Sequence, residues 1–364
     1  MKYKRFIFFF VIVFSGCTSI VPKIIPFQNI PIPTGQNSVG TRIFNWEDRS
    51  REEWFTDKEG DFRKIVLQVW YPSEIRLSET LSYLDHAELR VKPISEQVEL
   101  PAFMINHIKN VKSNSYLNID IKPSQEAYPL VIFSHGLGGM RMQNTIQMEE
   151  LASKGFIVIA LDHTYDANIT IFNDGQTADF KSGIVGKVTP EEFWDIRLPQ
   201  INTRADDIIY LLNNITEIQK NNKNSFWNMI DLNRVGIMGH SFGGGTAIVA
   251  CSKDDRLKAS IALDGWLVPV KEEIIKKGIS VPFLYIGQPY WKNPMNYENL
   301  DILISSSSGR ASKLILEGTK HMDFSDTPQF NSSSAKLGIS GSMDLEELRL
   351  LLNSQIVAFF KKNL

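Results

Sequence analysis

Seven residues, Gly239-His240-Ser241-Phe242-Gly243-Gly244-Gly245, set a serine midway between two glycines in the pattern G-x-S-x-G. A β-branched run, Val235 to Gly239, precedes it, and an apolar, Ala-containing stretch from Thr246 to Cys251 follows. That context predicts a sharp strand-to-helix turn that lifts the Ser241 hydroxyl clear of a sheet. Close glycines are required because the turn is strained and the helix packs tightly behind it. The helix start would bring backbone N–H groups and a positive dipole end beside a reacting carbonyl. The chemistry suggested is nucleophilic attack on an acyl carbon.

A serine hydroxyl is almost wholly protonated at neutral pH and needs a base. There are six histidines. His240 lies inside the turn, where its ring is carried away from Ser241. His135 belongs to the loop Ser134-His135-Gly136-Leu137-Gly138-Gly139, which suits another role. His86 and His107 fall in a polar region outside the strand pattern, and His163 follows a middle strand and could line a site. His321, in Glu317-Gly318-Thr319-Lys320-His321-Met322-Asp323, follows the last strand-like run and is the favoured base. Loops at the C-terminal ends of parallel strands converge on one crevice, and the chain order serine, acid, histidine is a known hydrolase order.

The acid must hold the imidazole in one tautomer and stabilise the imidazolium. Asp264 ends the strand after the serine turn, in Ile261-Ala262-Leu263-Asp264-Gly265-Trp266. The commoner position is one strand later, where Glu298 and Asp301 are available but far from the strand end. Asp264 is the better placed; Asp323 and Asp326 are too near His321 in sequence and read as loop caps. Two N–H donors are needed where the carbonyl oxygen becomes negative. Phe242, next to the serine, supplies one, and Leu137, in the Gly-rich loop after an earlier strand, is expected to supply the other.

The elements that would position these groups are legible. Strand-like runs occur at Lys64–Tyr71, Pro129–Ser134, Phe156–Leu161, Val235–Gly239, Ala259–Leu263, Val281–Ile286 and Lys313–Leu316. Continuous apolar strands separated by helical patterns imply a mostly parallel sheet covered on both faces. Ala205, Ile208, Leu212 and Ile215 share one helical face. Leu345, Leu348, Leu352 and Phe359 share another, in a C-terminal helix opened by Ser342 or Asp344. Residues 74–128 and 164–200 break the alternation and read as insertions, either lids or surface decoration.

The N-terminus reads as a separate signal. Lys2, Lys4 and Arg5 precede nine apolar residues, Phe6–Phe14, too few to span a bilayer, and small residues follow. Residues 1–16 are therefore expected to be a signal peptide. Phe14-Ser15-Gly16-Cys17 resembles a bacterial lipobox, which implies cleavage before Cys17, lipid on its thiol and a membrane-anchored exported protein. Residues 17–40, with Pro22, Pro26, Pro31 and Pro33, are expected to be an extended tether, and residues 41–364 a single α/β domain. The 364 residues carry 39 Lys+Arg against 41 Asp+Glu, a net charge of −2, which argues against nucleic acid as the main partner. Two cysteines and scattered histidines leave no metal-ligand spacing. No dinucleotide or phosphate-binding loop is present, so no metal and no cofactor is expected. Oligomeric state is not readable.

Taken together, Phe133-Ser134-His135-Gly136-Leu137-Gly138-Gly139, Gly239-His240-Ser241-Phe242-Gly243-Gly244, Ala262-Leu263-Asp264-Gly265-Trp266 and Gly318-Thr319-Lys320-His321 resemble the plasma and intracellular type-II platelet-activating factor acetylhydrolases in order and spacing, across roughly residues 62 to 361. The resemblance implies an α/β-hydrolase fold and calcium-independent hydrolysis of short or oxidised acyl esters of phospholipids. It also implies Ser241, Asp264 and His321 as triad, with Leu137 and Phe242 as oxyanion donors. Gly265 stands where that family often has Ala, and Gly139-Met140-Arg141 where it often has Ala-x-Arg. Cutinase-like polyester hydrolases and short-chain carboxylesterases share much of the pattern. A serine peptidase and a non-catalytic surface binding protein are the readings from other classes.

Overall fold

The computed structural model describes residues 21–364 apart from Ile24, Ser182, Gly183, Val185, Lys223 and Asn224. Eleven strands are described, β1 (Ser38–Glu52), β2 (Phe62–Ser73), β3 (Ser115–Leu117), β4 (Tyr128–Ser134), β5 (Ile157–His163), β6 (Ile169–Ile171), β7 (Thr177–Asp179), β8 (Ile230–His240), β9 (Leu257–Leu263), β10 (Phe283–Gly287) and β11 (Ala311–Ile315). The helices are α1 (Ala87–Gln97), α2 (Ala102–Ile105), α3 (Thr145–Ser153), α4 (Pro190–Asn221), α5 (Phe242–Lys253), α6 (Glu272–Lys277), α7 (Met295–Ser306) and α8 (Leu345–Asn363). Nine strands form one sheet in the order β11-β10-β9-β8-β4-β5-β2-β1-β3, and β6 and β7 pair separately. From β5 to β11 all pairs are parallel, while β2 pairs antiparallel with both β1 and β5. This is the mostly parallel sheet, covered on both faces, expected from the alternation of apolar strands and helices, and the α/β-hydrolase architecture that the family resemblance implies.

The central strands are buried on both faces, and their side chains divide between two cores by the two-residue period of a strand. Leu130 and Ile132 of β4 join Ile157, Ile159 and Leu161 of β5 on the face covered by α4 and α5. Val131 and Phe133 join Val158 and Ala160 on the face covered by α3 and α8. In α8 the buried stripe is Leu348, Leu352, Ile356 and Phe360. Phe360, not Phe359, continues the face, because a residue four after Ile356 returns to the same side of the helix. Asp344 caps this helix by accepting from the N–H groups of Glu346 and Glu347.

The expected divisions differ from the structure at three places. Residues 38–40 of the supposed tether begin β1, and Thr34 before it donates both its N–H and its hydroxyl to Glu150. Residues 74–128 hold α1, α2 and β3, with a satellite core in which Tyr83, Leu84, Val91 and Ile105 meet Ile30, Met142, Ile146 and Phe330. Residues 164–200 hold the β6–β7 hairpin and the first three turns of α4, which starts at Pro190 and not near Ala205. Thr189 accepts from the Glu192 N–H and the Glu192 carboxylate accepts from the Thr189 N–H, a capping box with proline in the first helical position.

Candidate active site

Ser241 sits between β8 and α5 with φ +56° and ψ −119°. A non-glycine residue there costs on the order of 1–3 kcal/mol and persists only where surrounding bonds over-determine it. Here the Ser241 N–H donates to Leu263 O at 3.0 Å, and Ser241 O accepts from the Trp266 N–H at 2.7 Å. The turn is therefore stitched to both sides of Asp264. Close packing explains Gly239, since a Cβ there would lie 2.2 Å from the Gly243 backbone. The Ser241 hydroxyl makes no capping bond to α5; the Gly244 N–H donates to Ser241 O at 2.9 Å, and the Phe242 N–H, at the positive end of the helix, has no acceptor among the described residues.

Asp264 follows β9, also with positive φ (+42°), and is fully buried. Its Oδ2 accepts from His321 Nδ1 at 2.5 Å, which leaves Nε2 as the free ring nitrogen. The His321 side chain is 34% exposed, so the ring stands at the mouth of the site. His321 is tied to the serine turn through the residue before the serine: His240 Nε2 bonds His321 O at 3.1 Å, and the two rings lie 4.6 Å apart. Ser241, Asp264 and His321, from the ends of β8, β9 and β11, are thus gathered in one place. Glu298 and Asp301 lie on α7, and Asp301 pairs with Lys313.

The loop after β4 faces the serine. A Cβ on Gly136 would lie 3.1 Å from His240 Nδ1 and 3.4 Å from the Ser241 Cβ, so the loop runs close against the serine turn. Three N–H groups of the loop are satisfied inside the protein: Gly136 by Gln143 Oε1, Gly138 by Asp166 O and Gly139 by Gly136 O. Leu137 N–H has no acceptor among the described residues. The Phe242 N–H, at the start of α5, likewise has no acceptor among the described residues.

The sequence matches the family described as platelet-activating factor acetylhydrolase, isoform II, over residues 25–364. The chain belongs to that family. The platelet-activating factor acetylhydrolase of Cavia porcellus is 29% identical over 95% of this chain and 79% of its own. That of Gallus gallus is 29% identical over 71% of this chain and 67% of its own. A solved ferulic acid esterase from Streptomyces cinnamoneus superposes with a TM-score of 0.73 at 24% identity, covering 93% of each chain, which shows a shared fold.

This acetylhydrolase-family chain is a serine ester hydrolase, and its site rests on residues that the sequence did not single out. Gln143 Nε2 bonds His240 Nδ1 at 2.5 Å while Gln143 Oε1 accepts from Gly136, so one side chain joins the oxyanion loop to the serine turn. Beneath the loop, Arg204 Nη2 donates to His135 O and to Ser134 Oγ, and its guanidinium lies 5.0 Å from the Phe242 ring. His135 donates from Nδ1 to Gly136 O and accepts at Nε2 from the His163 N–H. Burial, with Arg204 and His163 adding, pushes its pKa well below the ordinary value, so it is a neutral structural ring. His163 is buried as well and does not line the crevice. His86 lies at the start of α1, and His107 bonds Ile25 O, both away from the triad. Cys17 and the signal segment, residues 1–16, lie outside the described residues.

Proposed function

We propose that Ser241, His321 and Asp264 form the triad of an ester hydrolase that removes short or oxidised acyl groups from phospholipid-like substrates through an acyl-enzyme. One observation carries the reading: the 2.5 Å bond from His321 Nδ1 to Asp264 Oδ2, made beside a strained, helix-initiating serine. With Nδ1 held by the carboxylate, Nε2 takes the Ser241 proton as Oγ adds to the ester carbonyl carbon. The negative oxygen of the tetrahedral intermediate accepts from the Leu137 and Phe242 N–H groups. The C–O bond to the alcohol then breaks, and His321 returns the proton to that alcohol. Water, deprotonated by the same nitrogen, releases the acid and restores Ser241. The preference for a phospholipid is supported by the family and by a relative from Arthroderma benhamiae named as a probable 1-alkyl-2-acetylglycerophosphocholine esterase, 23% identical over 60% of this chain.

Ser241→Ala is expected to lower hydrolysis of p-nitrophenyl acetate and of a short-chain sn-2 phospholipid by at least about 10³-fold with the fold retained. Turnover within tenfold of the parent would remove the proposal. Graded acyl lengths in the same assay separate a lipid enzyme from a general carboxylesterase. We also propose export and lipid attachment at Cys17, supported by the basic, apolar and small residues at 2–17. Cys17→Ser expressed in a bacterium should lose incorporation of labelled palmitate; unchanged labelling would refute the anchor.

A further inference from the structure

Building on the triad reading above, we propose that Trp291 is a positioning residue for catalysis: its indole N–H and ring edge set the mutual orientation of Asp264 and His321. The Asp264 carboxylate is buried, and no Lys or Arg side chain bonds it among the described residues. Hydrogen bonds must therefore set its plane, because the aspartate χ2 torsion is intrinsically broad. Oδ2 accepts from His321 Nδ1 at 2.5 Å and from Gln288 Nε2 at 2.8 Å. Oδ1 accepts from Trp291 Nε1 at 2.9 Å, and at 3.2 Å from both the Gln288 N–H and the Tyr285 hydroxyl. Trp291 makes the shortest bond to Oδ1, the oxygen that the histidine does not touch.

Trp291 also reaches the other half of the pair. Its ring meets the His321 ring edge-on, 5.1 Å between centroids at 72°. It also donates to the Tyr285 hydroxyl at 3.1 Å. One side chain thus fixes the carboxylate plane and limits rotation of the imidazole. These donors lie at the end of β10 and in the loop before α7, where the commoner arrangement would carry the acid itself. Here that loop supplies the groups that hold an acid placed one strand earlier.

Trp291→Phe keeps the aromatic contact and removes the N–H. It is expected to lower kcat about tenfold, the worth of a hydrogen bond to a charged group, with KM within about twofold. In the purified full chain, the far-downfield proton resonance between His321 Nδ1 and Asp264 should shift or broaden. Gln288→Met, which removes the side-chain donor on the other oxygen, should act in the same direction and serves if Trp291→Phe folds poorly. Parental kcat with an unmoved resonance would overturn the proposal. So would a fall in kcat with an unmoved resonance, which would assign Trp291 to substrate contact. Ser241→Ala assayed alongside separates the levels. If that variant is inactive and Trp291→Phe is parental, only the positioning role fails; if Ser241→Ala is active, the triad itself fails.

Discussion

The described residues hold two serine–histidine–aspartate groupings, and they differ in the features that nucleophilic catalysis needs. In the buried one, Ser134 Oγ bonds His163 Nε2 at 3.0 Å and His163 Nδ1 bonds Asp207 Oδ2 at 2.9 Å. All three residues are fully buried, and Ser134 ends a regular strand. Burial, with the Arg204 charge adding, pushes the His163 pKa down to about 3, so the ring is neutral and a poor proton acceptor. Burial alone would raise Asp207, but Arg63, bonded at 2.7 Å and 3.0 Å, holds it well below the usual carboxylate range. In the other grouping the histidine is a third exposed, the serine is on a strained turn, and free N–H groups face it. Residue types are shared, as is the histidine–aspartate bond; access, backbone strain and donors for an oxyanion are not.

Replacing the acid in each grouping should break them in different ways. Asp264→Asn is expected to lower kcat about 10⁴-fold, by favouring the wrong imidazole tautomer, with thermal stability near the parent's. Asp207→Asn should leave activity per folded molecule within a few-fold and cost about 3 kcal/mol of stability, because Arg63 then keeps only Glu53 as a carboxylate partner while Arg51 and His163 lose the charge they share with it. Urea unfolding and ester turnover on both variants check this. An active Asp264→Asn together with a stable, inactive Asp207→Asn would invert the assignment. Ser134→Ala offers a milder control, with kcat expected within about threefold of the parent.

The two groupings are not independent, because Arg204 spans them. It donates to Ser134 Oγ in the buried set and to His135 O, directly before the oxyanion loop, while resting against the Phe242 ring. Arg204→Met should loosen the loop that presents the Leu137 N–H. The expected loss in kcat is about tenfold, smaller than the roughly 10²–10³ for removing an oxyanion donor outright. KM should change little, and steady-state kinetics separate the two. Unchanged kcat would show that the loop is held without the buried set.

Much of this was legible beforehand where a local rule governs the structure. The serine turn, the Gly-rich loop and the seven apolar strand runs each carry their own signature, and β2, β4, β5, β8, β9, β10 and β11 coincide with those runs. Asp264 could be ranked above Glu298 and Asp301 because a residue directly after a strand has little freedom to point elsewhere. β1 was missed: it is half-buried along most of its length, so its fifteen residues include Arg42, Asn45, Glu47 and Asp48 and show no apolar run. The early start of α4 had a readable signal in Thr189-Pro190-Glu191-Glu192, hidden by the polar character of its first turns. The buried set was not legible at all. Ser134, His163, Arg204 and Asp207 come from three separate elements, and only the pairing of β4 with β5 and the packing of α4 on that face bring them together.

The last expected effect concerns pH. His163 is neutral in the fold with a pKa of about 3, whereas an unfolded histidine titrates near 6.5. Between those values the unfolded chain binds a proton that the folded chain does not. Its contribution to stability is therefore fully present above about pH 6.5 and is lost as pH falls toward 3, at about 1.4 kcal/mol per pH unit. His135 and His240, both shifted down by burial, add the same sign in the same direction. Asp207, held low by Arg63, adds to the loss only below about pH 4, where unfolded aspartates take up protons. His163→Asn should accordingly give a shallower fall in unfolding free energy between pH 6.5 and 4.5 than the parent, by one proton's worth. Urea titrations at half-unit steps read that slope. Parallel curves would mean that the buried imidazole is not held neutral, and the distinction between the two groupings would then rest on access and geometry alone.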